Sequence, residues 1–135
     1  MGLGFSVGLL VGGIVILVII VIAMTRKMPA HAAQQTTRRT TLTSPLAPAA
    51  VIDKLKAARW RRIKVHDSDA ARGVVVLATG VTGFSWGFFY PVFVTRSGSG
   101  STIEIGIKSR AIQWGPVVTN NLKAAVAEIE QALKA

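Results

Sequence analysis

His66, Asp67 and Asp69 stand together in Val65-His66-Asp67-Ser68-Asp69 and carry side chains suited to metal ligation or to a base with an orienting partner. An Asp-rich turn closing a hairpin accounts for both carboxylates, and a histidine ending a strand needs no further role. His31 has no such neighbours. The chain has no cysteine, which excludes disulfides, thiolate metal sites, iron–sulfur clusters and a Cys nucleophile. Ser97-Gly98-Ser99-Gly100-Ser101 lacks the Lys-Ser/Thr and helix of a phosphate loop and reads as a hairpin connection. Arg110, Gln113 and Trp114 flank the start of the last helix, whose first N–H groups are a place for an anion. None of these sets forms a catalytic centre. The expectation is a protein that is not an enzyme and uses no metal and no cofactor.

Charge and aromaticity are more concentrated. Lys54, Lys56, Arg59, Arg61, Arg62 and Lys64 put six cations into eleven residues without an acid, within a chain of net charge +10. Such a surplus favours anionic surfaces. Trp60 inside the cluster suits a headgroup interface, and part of the cluster complements a helix C-terminus. Phe84, Trp86, Phe88, Phe89 and Tyr90 hold five of the nine aromatic residues. Alternate residues of a strand face opposite ways, so this strand is apolar on both faces. One face enters the core. The other needs a cover, which a helix, another chain or the membrane interface would supply, and with Trp60 it forms a candidate docking surface.

The elements that position these residues begin in lipid. Leu3 to Met24 carries no charge over 22 residues. As a helix it reaches about 33 Å, enough for a hydrocarbon core of about 30 Å. A cleaved signal peptide is the competitor, because Ala30-His31-Ala32 resembles a cleavage site. The basic pair Arg26-Lys27 follows the apolar run rather than preceding it, which favours an uncleaved anchor. The same asymmetry predicts a single-pass protein of the cell (inner) membrane, N-terminus outside and C-terminal domain cytoplasmic. Gly4, Gly8 and Gly12 share one helix face, where a second membrane helix can approach closely.

Residues 1–25 are thus the expected anchor, 26–46 a flexible basic linker and 47–135 a small basic domain. The linker has no apolar periodicity, and its r.m.s. reach is about 25 Å. Beyond it, Pro48 to Arg59 reads as an amphipathic helix, and Arg62 to His66 alternates as a strand. Val74 to Thr79 is a short buried strand. Trp86 to Arg96 is a third, in which Pro91 implies an edge or a bulge. Thr102 to Lys108 is a fourth, with Ile103, Ile105 and Ile107 inward. After Gly115-Pro116 a helix carries Val118, Leu122, Ala125, Val126, Ile129 and Leu133 on one side. The predicted class is α+β: after the membrane helix, an antiparallel meander of about four strands flanked by two helices, α-β-β-β-β-α.

Over the last fifty or so residues, strand–hairpin–strand followed by a long helix resembles helix-grip, lipid-binding-type folds in architecture. Four strands are too few for a complete grip, and no motif assigns the family.

Two functions follow. The first is a membrane-anchored accessory or scaffold protein: its helix packs with other membrane-protein subunits or with itself, and its basic domain docks on a partner or an anionic lipid surface. The second is a tethered lipid or apolar-ligand binder with a cavity between sheet and C-terminal helix, where a filled core would count against it. Nucleic acid is disfavoured, since no recognition motif for it is present.

Overall fold

A computed structural model describes residues 3–80, 87–110 and 115–134, with side chains from residue 6 onward. The apolar run forms helix α1, Leu3–Thr25. From Ser6 to Thr25 it is long and apolar enough to cross a membrane, and most of its side chains are exposed. Such a helix is either a membrane anchor or a signal sequence. Its hydrogen bonding runs one residue further, with Arg26 N–H donating to the Ile22 carbonyl at 3.0 Å.

The remaining elements are a 3-10 turn at Ala30–Ala32, then β1 (Arg39–Ser44), α2 (Pro48–Ala57), β2 (Lys64–Asp69), β3 (Val74–Ala78), β4 (Phe88–Ser97), β5 (Gly100–Gly106), β6 (Lys108–Ser109) and α3 (Gly115–Lys134). The α+β class stands, but among the described residues the sheet has six strands rather than about four, all paired antiparallel in the order β1-β5-β4-β3-β2, with β6 on β4. Pro48 begins α2 at its first turn, where its missing N–H is harmless. Gly98 at φ 60° supplies the left-handed residue of the tight β4–β5 turn.

Three differences from the sequence expectation have physical causes. The span 26–46 is not a free linker here: Met28, Ala30 and Ala33 are buried, and residues 39–44 form edge strand β1. Its Thr-rich sequence has high strand propensity but only Leu42 turns to the core, so the pattern looks like a loop. Pro91 lies in a central strand, not at an edge. Its missing N–H falls where the β4 ladder passes from β5, which pairs from Val92 onward, to β6, which pairs Phe88 and Phe89. The interruption at Ile107 is used elsewhere, its N–H donating to Thr36 Oγ1 at 3.0 Å. Finally, β2 contains a bulge between Val65 and Asp67, so the predicted strict alternation ends at His66.

The sheet is covered on both faces. On the inner face Val75, Leu77, Phe88, Tyr90, Val92, Val94, Ile103, Ile105 and Ile107 pack against Val51, Ile52 and Leu55 of α2 and Leu122, Ala125 and Ile129 of α3. On the outer face Val74, Val76, Ala78 and Phe89 lie beneath Met28, Ala30 and Ala33. Burying each large apolar side chain contributes about 1.5–3 kcal/mol, so both layers carry stability.

Candidate functional site

The outer face is held by side chains that the β2 bulge turns to one side. His66 Nε2 accepts from Met28 N–H at 3.3 Å, and Asp67 Oδ2 accepts from Ala30 N–H at 2.8 Å. The His66 ring lies 5.0 Å from that of Phe89. Arg72 donates to the carbonyls of Ala30 and Ala33 at 2.6 and 3.0 Å. Asp69 accepts from Arg72 N–H within the turn. Burial, and after it the positive charge of Arg110, hold the His66 pKa below its ordinary value, while the Ala30 and Ser68 N–H groups hold that of Asp67 down. The residues with catalytic chemistry in sequence are thus spent on fastening residues 26–33, a strap, to the sheet. Among the described residues, no cluster of His, Asp and Glu could hold a metal ion.

Arg110 is part of the same fastening. Its guanidinium lies 4.7 Å over the Phe89 ring and donates to the carbonyls of Thr79 (2.9 Å) and Arg26 (3.5 Å). It therefore ties the end of α1 to the sheet instead of waiting for an anion at the start of α3. Gln113 and Trp114 lie outside the described residues.

The aromatic docking surface dissolves on inspection of burial. Phe88 and Tyr90 face the helices, Phe89 lies under the strap, and all three are at most 1% exposed. The cover needed by the second face comes from the chain's own residues 28–33. Phe84 and Trp86 lie outside the described residues. Trp60 is half-buried against the inner core and donates Nε1–H to the Leu55 carbonyl at 3.1 Å, which closes the end of α2.

The cationic cluster divides. Lys54 is half-buried and its Nζ donates to the Leu133 carbonyl at the C-terminal end of α3, where a cation complements the helix dipole. Lys56, Arg59, Arg61, Arg62 and Lys64 remain exposed, and the main-chain N–H groups of Arg61 and Arg62 donate to Glu128 of α3. On α1, Gly8 and Gly12 have open space where a Cβ would stand, and Gly4 belongs to the first turn.

The inner face opens towards α3 at the edge of the sheet. A cleft of ≈ 480 Å³ lies along the seam between β1 and the last turns of α3, lined by Thr41, Leu42, Thr43, Ser44, Pro45, Glu130, Leu133 and Lys134. Leu42 and Leu133 reach from this cleft into the inner core. Deeper in, Ile103, Ile105 and Phe88 are fully buried and leave no water-sized space beside them. Tyr90 presents the hydroxyl of this face, donating to the Asn121 carbonyl of α3 at 3.5 Å, and burial pushes its pKa up to about 12. The seam was invisible in the sequence because β1 was; the alternation of Thr40, Thr41 and Thr43 around Leu42 was the available signal.

An antiparallel sheet curled around a long C-terminal helix defines a Bet v 1-like fold. The crystal structure of Ara h 8.0201 is similar, with a TM-score of 0.54 over 71% of this chain and 93% of that chain, at 12% sequence identity. At that identity the likeness is one of fold. No family model and no curated protein matches the sequence.

Proposed function

We propose that this chain is a membrane-anchored domain that takes a lipid or other apolar molecule between the sheet and α3. Folds of this class typically keep a cavity for hydrophobic ligands in that place. The observation that carries the reading is the cleft at the β1–α3 seam, where Leu42 and Leu133 lead from solvent into the apolar inner layer. The closed layer beneath α3 counts against a preformed cavity, so admission requires the C-terminal half of α3 to lift. Among the described residues, the polar ties to the C-terminal half of α3 run from Lys54 to the Leu133 carbonyl and from the Arg61 and Arg62 N–H groups to Glu128, whereas Tyr90 and Arg38 hold its first half. The Tyr90 hydroxyl, kept protonated at neutral pH, would be a donor offered to a ligand inside.

An uncleaved α1 is supported by the strap. Cleavage after Ala32 would remove Met28 and Ala30 and uncover Val76 and Phe89. The basic residues after α1 favour a cytoplasmic domain. Partner subunits would meet the glycine face of α1 or the exposed cations of residues 56–64, and crosslinking lost on Gly8→Leu would identify the first of these contacts.

The ligand reading is tested by mass spectrometry of small molecules that co-purify with the full chain in mild detergent. A stoichiometric apolar molecule, lost on Leu42→Trp at the seam but kept on Gly8→Leu in α1, is the expected result. A ligand-free protein, or a molecule indifferent to Leu42→Trp, would overturn it.

A further inference from the structure

On the opposite side of the sheet from the seam, the strap loops around a second cavity of ≈ 450 Å³. Its walls include Arg26 and Lys27 from the end of α1, Gln34 and Thr37 from the return of the strap, and Lys108 from β6, with Phe89 at its floor. The lining holds three cations and no carboxylate. Lys108 arrives by the fold, paired in register with Phe89 on β4. Positive field from this corner is felt at His66, where Arg110 and Lys27 both add to the lowering of its pKa.

The position of the cavity supplies the rest. Arg26 N–H closes the last turn of α1, Ala23 within that end is fully buried, and Arg110 donates to the Arg26 carbonyl. These contacts bring the end of α1 against the domain beside the cavity. A helix of 20 residues from Ser6 to Thr25 is as long as the hydrocarbon core is thick. Arg26, Lys27 and the cavity mouth then stand at the level of the phosphates. Ammonium and guanidinium groups converging beside amide and hydroxyl donors suit a phosphodiester.

We infer that this cavity binds the phosphate headgroup of an anionic phospholipid, whose acyl chains run beside α1. The inference rests on the membrane reading of α1 but not on the ligand reading of the β1–α3 seam, which lies on the other face of the sheet. Arg26 and Lys27 would attract anionic lipid in any unfolded juxtamembrane segment, so dependence on Lys108 is the mark of a folded site.

The test uses the full chain in nanodiscs of phosphatidylcholine containing a minority of phosphatidylglycerol, with native mass spectrometry of the lipids that stay bound after release. Phosphatidylglycerol should be retained well above its share. Lys108→Gln should reduce that enrichment roughly fivefold, Lys108→Arg should restore it, and Lys123→Gln on the exposed side of α3 should leave it unchanged. Lys108 is exposed and pairs through its backbone, so an unchanged melting temperature accompanies the loss. Retention of the two lipids in proportion to their shares, or enrichment indifferent to Lys108→Gln, would overturn the site. In a parallel arm, inorganic phosphate added to the chain in the same mixed nanodiscs should not compete. Displacement of phosphatidylglycerol by equal concentrations of inorganic phosphate would overturn the lipid source and assign the cavity to a soluble phosphate.

Discussion

The two faces of the sheet are covered by different means. The inner face is closed by apolar stripes of α2 and α3 at helical spacing, one of the commonest ways to bury a sheet. The outer face is closed by a short segment of small residues whose grip comes from His66, Asp67, Arg72 and Arg110. Under the proposed function, the inner layer, held by non-directional burial, is the one that parts. Directional bonds to main-chain groups hold the strap in place, and one of them, from Arg110, reaches the Arg26 carbonyl that follows α1. The two faces are held by separate sets of residues, so each can be broken without the other.

The largest expected effects remove one aromatic from each face. Phe88→Ala on the inner face and Phe89→Ala on the outer should each cost about 3–5 kcal/mol in chemical denaturation of the full chain. A nearly neutral Phe89→Ala would mean that the strap does not cover it. Next is Arg72→Ala, which removes two charge-assisted bonds to the strap and should cost about 1.5–3 kcal/mol. Hydrogen exchange should then rise at residues 28–33 and stay unchanged in β4 and β5. Gly106→Ala acts at the other end of the segment, because a Cβ there meets Gln35 Oε1 and Thr36 Oγ1. Displacing Thr36 from Ile107 N–H should cost about 1 kcal/mol, read as a lower melting temperature.

The smallest expected effect is one of pH. The His66 pKa is lowered from 6.5, so its contribution is complete above that value and declines as the pH falls below it, since the unfolded chain protonates first. Protonated His66 can no longer accept from Met28 N–H. The Asp67 pKa is lowered from 3.8, and its contribution is lost only in stronger acid, as the pH falls through its folded value. The protection factor of the Met28 amide, which is corrected for intrinsic exchange, should therefore fall as the pH drops below 6.5 while those of inner-face amides hold, and His66→Gln should flatten that response.

The same contrast governs how much of the fold was legible in the sequence. Ile103, Ile105 and Ile107 alternate, and Leu122, Ala125 and Ile129 recur at helical spacing, so β5 and α3 could be placed from periodicity. The strap and β1 could not. Met28, Ala30 and Ala33 are too small and too irregular to show a period, and their partners are residues 37 to 42 positions away. The bulge at His66 reverses which face its neighbours take, which no local pattern announces. The candidate seam inherits this blindness, since one of its walls is β1. The basic cluster was visible, but burial of Lys54 and Trp60 could be known only once α3 had been laid against α2.

The claim that an apolar molecule enters between the sheet and α3 is tested most directly by methyl NMR of the full chain in nanodiscs, titrated with a nitroxide-labelled fatty acid. The account predicts saturable broadening of the Ile105 and Ile129 methyls that Leu42→Trp abolishes, alongside non-saturable broadening of Ile14 and Ile16 in α1. Broadening confined to α1, with Ile105 and Ile129 untouched at every concentration, would contradict it.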